Sequence, residues 1–310
     1  MKHPSSDTGH RIQNAITRLR SLYESDLAVP DLEACGKAVV EPLREFLFTR
    51  EPSGIFYPRC KAAEVLAALG AKDILIDFLA NPRSIADPVE EAGEDAVASA
   101  VALALLRWPD EQVFSLLLDV ARRKLLVGVV EALGEYRRYE AVPIFASALG
   151  EDFCRYAAQN ALRKLGEGAC PYLLQLANRK TTSDTEYESS RRQRRSALEL
   201  LAELYQGEHL PETVWLLMED DDPEIALLAC SICLPRVSLA GREKVFVRLI
   251  DLLDSTDWMF RSEVEDLLIE NYANCRSVIE RRLNRAIEPA ASSLRRIVSK
   301  ACSKGYHENG

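Results

Sequence analysis

The sequence predicts an all-α protein made of about seven to eight helix pairs that follow one another along the chain. Three observations support this. Long stretches carry apolar residues at helical spacing, single glycines follow these stretches, and prolines open the next ones. No stretch between turn signals alternates apolar and polar residues as a half-buried strand does, so we expect no sheet.

The clearest repeat covers residues 139–166, YEAVPIFASALGEDFCRYAAQNALRKLG. It reads as an apolar helix with Pro143 in its opening turn, a short acidic link, and a second helix that ends at Gly166. Recurrence at this length is typical of stacked helical repeats. Related fragments occur at 35–47, 59–79, 124–134 and 162–177.

Glycine and proline set the expected bounds of these helices. A helix often ends on a residue with positive φ, which glycine adopts at the lowest cost. Proline is tolerated in a first turn, and Asp222 before Pro223 also offers an N-cap side chain. The predicted helix ends are Gly70, Gly134, Gly166 and Gly207, and the predicted starts contain Pro143, Pro171 and Pro223.

Two polar stretches interrupt the array. Residues 180–190, KTTSDTEYESS, lack periodicity and predict an exposed insertion or a hinge. We therefore expect amino-terminal repeats over 1–179 and more degenerate repeats with a capping helix over 191–310. Residues 81–94, NPRSIADPVEEAGE, predict a second, shorter linker.

The 139–166 repeat resembles the HEAT-repeat family, in particular its bacterial and phycobilin-lyase-type HEAT-like repeats. The resemblance is strongest over 55–178. It implies an armadillo-type α-α superhelix, a right-handed solenoid in which one helix of each pair lines a concave surface. The residues that carry it are Ala141, Val142, Pro143, Leu149, Asp152, Arg155, Ala157, Ala158, Ala161, Leu162, Leu165 and Gly166.

Composition and charge limit the cellular compartments and the classes of partner that we expect for this protein. The amino terminus lacks an apolar core of signal-peptide length, and no run approaches the roughly 20 apolar residues that span a bilayer, so we expect a soluble, cytoplasmic protein. Eight scattered cysteines are expected as buried thiols in a reducing compartment. The net charge of −9 disfavours nucleic acid and membranes as partners.

The sequence predicts no catalytic residue, no metal site and no cofactor. Nucleophilic catalysis needs a base near a serine or cysteine, and His209, the one histidine in the body of the chain, lies in an inter-helix turn where we expect an ordinary surface residue. Cys230 and Cys233 lie in an apolar helix without further ligands at zinc spacing. The acidic run 219–222 favours a helix start.

Binding residues are predicted where arginine and tryptophan concentrate, because both are enriched among interface hot spots. Residues 271–310 contain eight Lys/Arg against three Asp/Glu, so we expect a protein partner that is acidic where it meets this end. The candidates are Arg191, Arg192, Arg194, Arg195, Trp215, Trp258, Arg281, Arg282 and Arg285.

The sequence therefore predicts a non-catalytic scaffold or adaptor that binds a protein through its concave surface. Two alternatives stay open. The resemblance to phycobilin-lyase-type repeats implies an accessory subunit of a cofactor-attachment system. The other alternative is a HEAT-like DNA glycosylase or DNA-binding protein, for which Trp108 with Asp110, Trp215, and Trp258 beside Asp257 would supply the aromatic and acidic residues.

Overall fold

The computed structural model describes residues 6–49, 55–83, 85–179, 187–207 and 210–303, and across these ranges the chain is helical without any strand. This confirms the predicted all-α class. Contacts divide the chain into two compact units, Met1–Leu165 and Gly166–Gly310. Most of the predicted insertion, residues 180–186, lies outside the described residues, as does His209.

The described part of the first unit contains ten α-helices. They are α1 (Ser6–Leu19), α2 (Ser25–Ala34), α3 (Val40–Phe48), α4 (Tyr57–Ala68), α5 (Lys72–Ala80), α6 (Pro88–Ala104), α7 (Glu111–Arg123), α8 (Val127–Glu135), α9 (Val142–Ala148) and α10 (Arg155–Leu165).

Eight α-helices make up the described part of the second unit. They are α11 (Cys170–Ala177), α12 (Glu188–Leu204), α13 (Glu212–Leu217), α14 (Pro223–Cys233), α15 (Leu239–Leu252), α16 (Trp258–Glu270), α17 (Tyr272–Leu283) and α18 (Ala290–Ser303).

Within each unit, most helices pack on the next helix in the chain, on the helix two places further on, or on both. In the first unit, the helices α2, α4, α6, α8 and α10 pack side by side in that order, and we call them the even layer. Helices α5, α7 and α9, which are the other members of these helix pairs, also pack side by side in that order. In the second unit, α12, α14, α16 and α18 form the corresponding series.

Helix starts follow the predicted rules, and they correct one prediction. Residues 88–94, which we expected within a linker, form the first turns of α6. The Asp87 carboxylate accepts the amides of Val89 and Glu90, and Pro88 occupies the first helical position. Cap and proline together start a helix in a segment that is polar on average.

The predicted helix ends are correct at two of the four glycines. Gly70 and Gly166 have φ of +81° and +66° directly after their helices. Gly134 lies inside α8 instead, and a Cβ there would stand 2.8 Å from Cβ of Ala161 on α10. Its role is close helix approach, while Arg137 takes the positive φ, at 51°. Gly207 lies beyond the end of α12 without a positive φ.

Arginine side chains tie one helix to the carboxyl end of the helix before it. The Nε of Arg59 on α4 donates to the Leu47 carbonyl of α3 at 2.8 Å, and Arg155 on α10 reaches the Leu149 carbonyl after α9 at 3.2 Å. Terminal carbonyls have no hydrogen-bond partner within their own helix and carry partial negative charge. A guanidinium both donates a hydrogen bond to such a carbonyl and places a positive charge beside it. Arg155, a residue of the HEAT-like resemblance, thus has a packing role.

Candidate binding surfaces

The arginine cluster at 191–195 divides between surface and interior. Arg194 is 1% exposed; its Nε donates to the Ala177 carbonyl at 2.8 Å and its Nη2 to the Asp220 carboxylate. We therefore correct Arg194 from a binding residue to a packing residue. The reason is its position in the second turn of α12, where that helix packs against α11.

Arg195 is also engaged within the second unit. Its Nη2 lies 2.8 Å from Asp222 and its Nη1 lies 2.7 Å from Glu224. Partial burial alone would lower the pKa of Arg195, but the hydrogen bond with Asp222 and the nearby carboxylates raise it, so the guanidinium stays charged. Arg191 and Arg192 are half-buried on the first turn of α12 and stay candidates.

The acidic run 219–222 receives these arginines. Asp222 caps α14, as predicted, by accepting the amides of Glu224 and Ile225. The sequence interpretation missed that the basic cluster lies opposite the acidic run. The available signal was their separation of 26 to 27 residues, close to one helix pair.

The two predicted tryptophans differ in exposure. Trp215 is half-buried, and its ring lies against Gly241 of α15, where a Cβ would stand 3.2 Å from Cη2 of Trp215. Trp258 is 69% exposed at the start of α16, and the neighbouring Met259 is exposed as well. Only Trp258 presents a large aromatic surface.

The carboxy-terminal arginines are largely matched by carboxylates. Arg281 pairs with Glu243 at 2.5 Å and Arg282 with Asp251 at 3.2 Å, which ties α17 to α15. Arg285 is exposed past the end of α17. Part of the positive charge at this end is therefore neutralised by ion pairs between α17 and α15. The three arginines stay candidates for a partner contact.

Two aspartates considered for DNA chemistry cap helices. Asp110 accepts the amide of Val113 at the start of α7 and also contacts Lys72 Nζ at 2.5 Å, a hydrogen bond that lowers the pKa of Asp110. Asp257 accepts the amides of Met259 and Phe260 at the start of α16. Both carboxylates thus already have backbone partners.

The cysteines are free thiols, five of them buried. Burial raises the pKa of Cys230 to about 12 and that of Cys233 to about 11. Cys302 departs from the prediction because it is exposed on the last turns of α18. In the described ranges no group of three or more His, Cys, Asp or Glu side chains is placed to hold a metal ion, and no helix is long and apolar enough to cross a bilayer.

A row of exposed apolar side chains follows one edge of the even layer. Among the described residues of the first unit, twelve large apolar side chains are exposed, and ten lie at the amino-terminal end of an even-layer helix. Tyr23 and Phe153 are 95% and 89% exposed. We call this set the apolar row: Leu22, Tyr23, Leu27, Ile55, Phe56, Tyr57, Val89, Val127, Phe153 and Tyr156.

Contacts between neighbouring helices show that these amino-terminal ends lie on the same side. The Tyr57 hydroxyl at the start of α4 donates to Asp26 at the start of α2, at 3.0 Å. Phe56 lies against Gly93 near the start of α6. At the opposite ends, Lys164 of α10 pairs with Glu135 of α8 at 2.5 Å. The helices are therefore parallel, with the start of α8 at Gly128 set beside Ser99 in the middle of α6.

Negative charge is concentrated in four of the five even-layer helices. Helices α2, α4, α6 and α8 contain ten Asp/Glu and two Lys/Arg, a net charge of −8, whereas α1, α3, α5 and α7 together carry −1 and α10, the last even-layer helix, carries +3. Lys124 approaches from outside and pairs with Glu91 and Asp95 at 2.6 and 2.7 Å. The even layer thus combines exposed rings with carboxylates.

A small cavity opens near the start of α6, between that helix and the carboxyl ends of α3, α5 and α7. Its volume is about 150 Å³, and its apolar wall includes Phe48, Phe78 and Leu126. Glu91 and Asp95 of α6 also line it. A space of this size and polarity accommodates one apolar side chain.

Neither the apolar row nor the concentration of carboxylates on α2, α4, α6 and α8 was predicted from the sequence. A tyrosine or valine in a first turn looks like a core residue until the packing of neighbouring helices is known. The second unit places Tyr187, Trp258 and Ile287 at or just before the starts of α12, α16 and α18, so Trp258, predicted on other grounds, belongs to the same pattern.

The comparisons with known proteins give no family for this chain. No protein-family model matches the sequence. No curated protein matches it either.

Proposed function

We propose that this protein is a non-catalytic scaffold or adaptor of the HEAT-like kind, an α-α superhelix that binds a protein partner in the cytoplasm. The apolar row carries the proposal. Scattered apolar residues are normal on protein surfaces, but contiguous exposed patches mark interaction sites. Here ten large side chains line the edge of five parallel, packed helices.

The row has the dimensions of a protein interface. Five helices packed at 8–10 Å span roughly 35 Å between the first and last axes. A partner segment of comparable length would cover several rings at once, and aromatic side chains contribute most to such contacts. In a HEAT-like superhelix, the even layer is the layer that we propose to line the concave surface.

The carboxy-terminal arginines form a second candidate region. Arg285 is exposed, and Arg281 and Arg282 are exposed at the ion pairs they make with α15. An acidic partner segment competing for these arginines would have to replace existing pairs, and exposed pairs contribute at most about 1 kcal/mol each. We place the main contact at the apolar row and a secondary contact here.

Affinity capture from native lysate with a set of variants tests the function. Tyr23→Ser/Phe153→Ser removes two of the most exposed rings, and Tyr139→Ser/Tyr172→Ser, which removes two exposed rings outside the even layer, is the matched control. We expect the first variant to lose its partner by tenfold or more while the control retains it, since tenfold corresponds to about 1.4 kcal/mol.

A third variant, Arg281→Glu/Arg282→Glu/Arg285→Glu, tests the carboxy-terminal region. We expect a smaller loss than at the row. Complete loss here with no loss at the row would transfer the main site to the carboxy-terminal helices. Absence of any protein whose capture depends on either surface would contradict the proposed function.

A further inference from the structure

We propose that the even layer from α2 to α8 takes up a basic segment of the partner, a stretch of Arg and Lys with spaced apolar or aromatic anchors. This rests on the proposed function and adds the chemistry of the partner. It differs from the acidic partner expected at the carboxy-terminal end, because it concerns another surface of opposite charge.

The charge distribution carries this inference. The four helices hold a net −8 of the chain's −9. Arg18, Lys124 and Lys164, which lie outside these four helices, pair with Asp31, with Glu91 and Asp95, and with Glu135. The carboxylates of Glu33 and Glu131 are exposed on the same helices, and a basic segment is their electrostatic complement.

Rings and carboxylates occupy the same exposed stripes. On α4 the exposed stripe contains Tyr57 at the amino end and Glu64 two turns further on. On α8 it contains Val127, then Glu131 and Glu135 at helical spacing. A bound segment would thus meet apolar anchors at the edge and carboxylates just behind them.

The two kinds of contact have different consequences. The attraction between exposed carboxylates and the basic residues of the segment affects mainly the association rate and the choice of partner. Salt at 0.15 M screens this attraction over about 8 Å. Buried anchors slow dissociation, and the 150 Å³ cavity beside α6 offers a place for one of them. Binding should therefore need both positive charge and apolar residues in the segment.

Selection from a random 16-residue peptide library displayed on phage tests the inference on the full chain. The double variant Glu64→Lys/Glu131→Lys reverses two exposed carboxylates of the even layer. Glu41→Lys/Glu45→Lys on α3 makes the same change of total charge on exposed positions outside the layer, and it is the matched control. Thermal unfolding of both variants verifies that they fold.

We expect the peptides enriched on the unmodified chain to be basic and to contain apolar or aromatic residues. The best peptide should bind Glu64→Lys/Glu131→Lys at least tenfold more weakly and the α3 control equally well. Its affinity should fall as salt rises from 50 to 300 mM.

Enrichment of neutral or acidic peptides, no enrichment, or equal binding to both charge variants would overturn the inference. The proposed function would survive each of these outcomes if the lysate capture still depends on Tyr23 and Phe153. Only a negative result in the lysate capture would contradict the proposed function, so the two failures are distinguishable.

Discussion

Arg194 and Asp220 form a buried ion pair in the second unit, in which the guanidinium of α12 meets the link between α13 and α14. Removing one member of such a pair leaves the other charge without a partner, which costs about 3–5 kcal/mol. We expect Arg194→Ala to lower the free energy of unfolding by that amount in urea denaturation. Arg191→Ala, on the first turn of the same helix, should change it by less than about 0.5 kcal/mol. Similar effects of the two variants would contradict the packing role of Arg194.

Gly134 and Ala161 provide a test of helix spacing in the first unit. Alanine at 134 would place a Cβ 2.8 Å from that of Ala161. Overpacking costs about 1–3 kcal/mol, whereas alanine gains only about 0.5–1 kcal/mol over glycine in a helix. We expect Gly134→Ala to be destabilising and Gly134→Ala/Ala161→Gly to recover at least 0.5 kcal/mol relative to additivity. Strict additivity in this cycle would show that the two residues do not set the helix distance.

Much of the fold was accessible from the sequence because helix ends depend on local chemistry. Prolines in first turns and the Asp222 cap were predicted correctly. Residues 88–94 were misjudged because their polarity masked the cap and proline that start α6. Gly134 was misjudged because a glycine required for helix contact looks the same in sequence as one that ends a helix.

The candidate surfaces were less accessible, since exposure depends on neighbours that are distant in sequence. Arg194 and Arg191 are equivalent in the string RRQRR, and only the packing of α12 on α11 separates them. The net charge of the whole chain conceals its concentration on α2, α4, α6 and α8. Both features need the helix order before they can be recognised.

Glu265 on α16 makes stability depend on pH. Its burial alone would raise the pKa, but hydrogen bonds from Arg296, the nearest at 2.5 Å, and from Ser293 bring the pKa below the ordinary range. The stabilisation by the ionised form is therefore present above the usual glutamate pKa of about 4.3 and is lost as pH falls through the lower folded pKa.

We expect Glu265→Gln to lower the free energy of unfolding by about 2 kcal/mol at pH 7. This is less than for a fully buried ion pair, because Arg296 is half-exposed. The difference from the unmodified protein should shrink on acidification below pH 4. Urea unfolding at several pH values measures it. A difference that stays constant or grows as the pH falls would refute this account of Glu265.

Thiol reactivity tests the placement of the cysteines. Cys302 is exposed, whereas burial raises the pKa of both Cys230 and Cys275 to about 12. Because the thiolate is the reactive form, iodoacetamide at pH 8 should label Cys302 first and leave Cys230 and Cys275 unmodified in the folded protein. Peptide mass spectrometry after labelling, with and without urea, gives the order. Early labelling of Cys230 would show that α14 is open to solvent.

The central claim, that a protein partner binds the even layer of the first unit, is tested most directly by photo-crosslinking in native lysate. A photoreactive amino acid replaces Val127 in the apolar row, Glu41 outside it, or Arg285 at the carboxy-terminal end. We expect a discrete protein adduct from position 127 that a basic, apolar-anchored peptide suppresses, a weaker adduct from 285, and none from 41. Adducts from 285 without any from 127 would contradict the claim.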